Sequence, residues 1–163
     1  MITQNTIQNQ HCGLWHCPVE KAGQLMPELQ PIFDSCPIQD GTIDVKIHML
    51  MPNQYPCIPN WHYDLVPRDK ELNQLFDKCD TNKKMYLLVS GTPIPEFKDG
   101  REVKPWNWIE FTQLDLHRGT ISKNHQWRLF ARVVPKEILS PASSEKWIRR
   151  HCQVYLDTEN FKW

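Results

Sequence analysis

The chain has no net charge, no long apolar run, no internal repeat and no low-complexity tract. Lys plus Arg and Asp plus Glu number nineteen each, so no global field draws it toward nucleic acid or an anionic membrane surface. No apolar stretch nears the roughly 18 residues that a membrane span requires. The opening MITQNTIQNQ is polar and lacks the basic-then-apolar order of a secretory leader. A cytoplasmic protein without a membrane segment is therefore expected. With no linker in view, the 163 residues are expected to form a single domain, 1–163, long enough to bury a core. What is present agrees with a folded chain: 40% hydrophobic residues and seven tryptophans. The six cysteines would suggest disulfides in a secreted protein, whereas in the cytoplasm reduced thiols or metal ligands are expected.

Thirteen prolines cut the chain into short pieces, which suits strands and turns better than long helices. One helix is expected over residues 19–33, where Leu25, Met26, Leu29 and Phe33 fall at helical spacing, with Pro27 and Pro31 disturbing it. Beyond it the period is mostly two. Val45, Ile47, Met49 and Met51 alternate with Asp44, Lys46, His48 and Leu50, and Trp127, Leu129, Ala131 and Val133 alternate with Arg128, Phe130 and Arg132. Residues 85–90, 108–117 and 151–156 also read as strands, and 144–150 as a short helix. The expected class is mainly β, an antiparallel barrel or sandwich with one or two short flanking helices.

The chemistry concentrates in PNWHYDLVPRD. In an extended segment His62 and Asp64, two apart, point the same way and can share one ion. A third ligand must come from another strand, and His117 ends the segment that starts at Trp108. Two imidazoles and one carboxylate on one octahedral face leave three positions open, the arrangement of non-haem iron(II) oxygenases. Arg128 follows His117 by eleven residues, on the next strand, whereas the same step from His125 or His151 lands on lysine. A guanidinium there can hold a carboxylate as a bidentate pair.

With His62-Tyr63-Asp64, then His117, then Arg128, the chain resembles the Fe(II)/2-oxoglutarate-dependent dioxygenase superfamily. The resemblance implies a double-stranded β-helix (jelly-roll, cupin-like) core over about 44–135, with H-x-D opening the second core strand, the distal histidine on the seventh and the arginine on the eighth. It implies Fe(II) on His62, Asp64 and His117, 2-oxoglutarate chelating that iron, and Arg128 on its far carboxylate. The implied reaction decarboxylates 2-oxoglutarate to succinate and hydroxylates a substrate C–H bond. Phe130 stands where the family often has Ser or Thr, two residues after the arginine, and Arg132 on the same strand face is an alternative anchor. Phe130 and the short chain favour a rival, a cupin-like metal-binding barrel that does not oxidise through 2-oxoglutarate. A metal-free interaction sandwich is a third reading.

Tyr63, Asn60, Trp106 and Trp108 flank the motif residues and are the candidates for shaping a substrate pocket, with Asn107 beside them; the other large aromatics, Trp61 and Trp127, are expected in the core. The expected substrate is a small or small polar molecule rather than a long nucleic acid, and a homodimer follows by analogy with other jelly rolls. His11, Cys12, His16 and Cys17 in HCGLWHC are all metal-ligand types, but C-x4-C is not a usual zinc spacing and no second pair lies downstream. Thiols near a folded edge are expected there. The basic stretch 146–151 reads as a solvated face.

Overall fold

Two nine-residue strands, β2 (Thr42–Leu50) and β7 (Gln126–Val134), pair antiparallel along their whole lengths at the centre of the computed structural model, which describes residues 2–156. Their alternating residues make two different faces. Ile43, Val45, Leu129, Ala131 and Val133 bury against three short helices, α1 (Gln4–Gln8), α2 (Val19–Leu25) and α3 (Gln30–Asp34). Asp44, Lys46, His48, Arg128, Phe130 and Arg132 occupy the opposite face. Sheet order is β5-β3-β7-β2-β1-β8, with β1 at Gly13–Pro18, β3 at Met85–Val89, β5 at Ile109–Phe111 and β8 at Ile148–Arg149. A second, two-stranded sheet joins β4 (Glu96–Phe97) to β6 (His117–Arg118). All pairings are antiparallel. The fold is thus mainly β, although among the described residues the strands close no barrel.

Several elements differ from their expected form for local reasons. The helix expected over 19–33 is broken: Met26, preceding Pro27, leaves helical geometry (φ −135°, ψ 68°) and a 3-10 turn, Pro27–Leu29, separates α2 from α3. Pro31 is tolerated because it falls in the first turn of α3, where its missing N–H costs nothing. The polar N-terminus forms α1 because Thr3 and Thr6 cap it reciprocally and Ile7 is wholly buried. Residues 108–117 are split between β5 and β6, in different sheets, because Asp115 accepts hydrogen bonds from the Thr112 N–H (2.6 Å) and hydroxyl (3.0 Å) and turns the chain. Residues 144–150 give a 3-10 turn, Ser144–Lys146, followed by β8 rather than a helix. Residues 151–156 form no strand; Tyr155 alone bridges, to Tyr55. Met49 and Met51, which continue the alternation of Val45 and Ile47, are 43% and 44% exposed because the helix layer ends near Ile47. Among the described residues no helix is long and apolar enough to cross a membrane.

Candidate metal centre

His62 lies in no regular strand, yet its backbone bridges antiparallel to His117: its N–H donates to the His117 carbonyl (3.0 Å), and its carbonyl accepts in return from the His117 N–H (3.1 Å). This direct pairing puts the two rings side by side, centroids 4.5 Å apart. Two residues on, Asp64 returns to the same side, and Leu65, at φ 57°, turns the chain away. The His62 Nε2 lies 3.9 Å from Asp64 Oδ1 and the His117 Nε2 3.5 Å from Oδ2. One ligand atom from each residue falls within 4.8 Å of the others. Such atoms would stand roughly 3 Å apart around a shared ion, so small side-chain motions suffice to close on a metal.

Both rings are oriented by backbone carbonyls. His62 Nδ1 bonds Asn60 O (2.8 Å) and His117 Nδ1 bonds Asp115 O (3.0 Å). A carbonyl only accepts, so each Nδ1 carries a hydrogen, and each Nε2, the atom that faces Asp64, is the one a metal would take. Phe97 and Phe111 pack around His117 at 5.5 and 5.6 Å between centroids. On the carboxylate side, Arg132 donates to Asp64 Oδ2 (2.7 Å) and to Asp44 Oδ2 (2.5 Å), while the His16 backbone N–H donates to Asp44 Oδ1 (2.8 Å). Burial alone would raise the Asp64 carboxyl; Arg132, with the two imidazoles, overrides it and holds the group well below the usual carboxylate range. Burial pushes His62 down, whereas at His117 the opposing pull of Asp64 wins and moves the ring up. Two neutralisable imidazoles and an ionised carboxylate are a donor set that fits a divalent first-row metal.

The triad opens on a cavity of about 130 Å³ whose wall includes Lys46, Cys57, Arg128, Phe130 and Arg132. Arg128 is 2% exposed. Its Nε has no hydrogen-bond partner, and among the described residues no carboxylate pairs with it. Burial pushes its pKa down to about 10. Its guanidinium lies 5.9 Å from the Phe130 ring centre, and the Lys46 ammonium 5.7 Å from the same ring. At Pro95 this cavity meets a larger groove of about 770 Å³ between residues 92–97 and 120–126.

The expected site residues divide. His62, Asp64, His117, Arg128 and Arg132 converge on one cavity. Asn60 contributes its backbone carbonyl, and Tyr63 stacks edge-on against Phe76 at 5.1 Å, outside the cavity wall. Trp106 and Trp108 lie on the helix-covered side of the sheet: Trp106 is 42% exposed beside Ile32 and Leu88, and the Trp108 indole donates to Ser35 Oγ (3.3 Å). Asn107 is occupied with the Pro105 carbonyl. Trp61, expected in the core, is half-buried, with the cations of Lys98 and Arg118 at 5.1 and 4.6 Å from its ring. His11, Cys12, His16 and Cys17 do not gather: His11 is exposed, Cys17 lies in the helix-side core with its thiol pushed up to about 12 by burial, and all six cysteines are free. Sequence reasoning missed Lys46 and Cys57 on the cavity wall and Asp44 as a partner of Arg132. Asp44 and Lys46 were legible as polar residues two apart on a strand whose other face is apolar.

Comparison with family models, curated proteins and solved structures gives no match for this chain.

Proposed function

We propose that this chain is an Fe(II)- and 2-oxoglutarate-dependent oxygenase that hydroxylates a small substrate. The observation that carries this reading is Arg128, a buried guanidinium without a counter-ion among the described residues, in the same cavity as the His-Asp-His triad. An unpaired buried cation is costly unless an anion meets it. A dicarboxylate long enough to reach the metal with one end and Arg128 with the other fits that need. Both terminal nitrogens of Arg132 are engaged by Asp64 and Asp44, so the anchoring role is assigned to Arg128. Phe130, between the two arginines on β7, offers an apolar wall for the methylene carbons. The arrangement also suits a double-stranded β-helix core, with the arginine on the large sheet and His117 on the small one.

His62, Asp64 and His117 would hold the iron. When bound, iron supplies oxygen activation, so that 2-oxoglutarate, oxygen and a C–H substrate become succinate, carbon dioxide and the alcohol. Arg132 keeps the Asp64 carboxylate ionised and aimed at the two imidazoles. The Asn60 and Asp115 carbonyls fix both rings, and Phe97 and Phe111 keep water from one flank of His117. The groove beyond Pro95 is the assigned place for the substrate, and six free thiols suit a reducing cytoplasm.

Phe130 favours a second reading, a cupin-like metal barrel that binds no 2-oxoglutarate, because it removes the hydroxyl that usually supports the carboxylate. Succinate release separates the two. Protein supplied with Fe(II), oxygen and 2-oxoglutarate should form succinate, and Arg128→Ala and Asp64→Ala should abolish it. Full metal occupancy without succinate would establish the cupin-like reading instead.

A further inference from the structure

Ion pairs leave the walls of the metal cavity, and of the groove that meets it at Pro95, with a surplus of positive charge. Both carboxylates on these walls are compensated, Asp64 by Arg132 (2.7 Å) and Glu96 by Arg118 (2.8 Å). Arg101, in the groove, is held by Asp99 and Asp115. Arg128, Lys46 and Lys123 differ, for among the described residues they meet no carboxylate. A chain with nineteen charges of each sign thus turns its uncompensated cations toward one continuous space, which favours an anion.

The co-substrate accounts for part of this surplus. Arg128 takes its far carboxylate in the reading above, and Lys46, over the Phe130 ring on the strand beside Arg128, belongs to the same end. Lys123 lines the groove and not the metal cavity. Beside it on the groove wall, the exposed Asn124 side-chain amide has no hydrogen-bond partner among the described residues. Other polar groups of the groove satisfy one another. The Thr92 hydroxyl donates to Gln126 Oε1 (3.0 Å), Gln126 Nε2 to Ser122 Oγ (2.9 Å), and the Thr120 hydroxyl to the Ile94 carbonyl (2.7 Å). Much of the remaining lining is apolar: Pro93, Ile94, Pro95, Phe97 and Ile121.

These walls discriminate between classes of substrate. A cationic molecule would meet like charge, and a polyhydroxylated one would find few free hydrogen-bonding groups. Nucleic acid binds through many phosphate contacts, whereas Lys123 is a single ammonium. A phosphate monoester would bring about 1.5 to 2 negative charges to that one cation. Resting on the oxygenase reading, we propose that the substrate is an apolar monocarboxylate. Lys123 and the Asn124 amide hold its carboxylate, and its hydrocarbon body lies along the groove toward Pro95 and the metal cavity.

The test is calorimetric titration, without oxygen, of protein loaded with Fe(II) and 2-oxoglutarate. The probes are octanoate, octan-1-ol and octylammonium, which share one chain and differ in the charge at its end. The wild type should bind octanoate roughly tenfold more tightly than octanol, the share of one hydrogen bond to a charged group, and octylammonium most weakly. High salt should shrink that margin. Lys123→Met should bring octanoate down to the level of octanol. Lys123→Glu should reverse the order, with octylammonium bound more tightly than octanoate, a result that damage to the fold cannot produce. Equal affinity for octanoate and octanol in the wild type, no binding of octanoate, or an unchanged octanoate preference in both variants would overturn the assignment. A wild type that binds iron but gives no visible absorption band with 2-oxoglutarate would instead overturn the oxygenase reading itself.

Discussion

Arg128 and Arg132 lie four residues apart on one strand face and have opposite circumstances. Arg132 bridges two carboxylates, and among the described residues Arg128 meets none. Their removal should therefore act in opposite directions on the ligand-free protein. Arg132→Leu leaves Asp64 and Asp44 uncompensated and should cost about 3–5 kcal/mol. Arg128→Met removes an unpaired buried charge and should gain about 1 kcal/mol, roughly 2–4 °C in Tm for a chain of this size. Thermal melts in chelator decide both; a large loss of stability in Arg128→Met would mean that the guanidinium has a partner. His48 adds a pH dependence. Its folded pKa, about 3, is below the ordinary value near 6.5, so below about pH 6.5 the unfolded chain takes up a proton that the folded one refuses. Stability should fall as pH drops from 6.5 toward 3, by up to about 1.4 kcal/mol per unit. Urea midpoints at pH 7, 6 and 5 should show a shallower decline in His48→Asn, and an identical slope would contradict a neutral buried imidazole.

At the scale of elements, the close approach of β6 to the 55–58 segment positions His117. Gly119 makes it possible: its N–H donates to the Ile58 carbonyl (2.8 Å), and an added Cβ would stand 2.7 Å from the Cys57 carbonyl oxygen and 2.8 Å from its sulfur. Backbone cannot yield as a flexible side chain can, so Gly119→Ala should cost about 1–3 kcal/mol and weaken iron binding, read by melts and metal titration. Wild-type values for both would show that the segment can part freely. The two long strands were legible because their alternation is complete and both faces are covered. The His-Asp-His group was legible because H-x-D needs only local extension and His117 ends a segment free of proline and glycine. The division of 108–117 between two sheets was not, since it rests on one carboxylate, Asp115, capturing the Thr112 N–H. Nor was the place of Trp106 and Trp108, because proximity in sequence to His117 says nothing about which side of β3 and β5 the chain crosses.

Over the whole molecule, one large sheet supplies Arg128, Arg132, Asp44 and His48, and the small sheet with its bridge to His62 carries the two histidines of a group that could hold a metal. The helix-side core shares no residue with the site, so emptying the metal centre should leave the fold standing. His62→Ala and His117→Ala should each lose iron while far-UV circular dichroism and a cooperative melt persist; retention of full iron affinity in both would contradict the triad. The central claim, iron and a dicarboxylate held together between Asp64 and Arg128, is tested most directly by adding 2-oxoglutarate to Fe(II)-loaded protein without oxygen. The account predicts a saturable visible charge-transfer band in the wild type that is lost in Arg128→Ala although iron remains bound. Iron bound without any band in the wild type, or a band equally strong in Arg128→Ala, would contradict it.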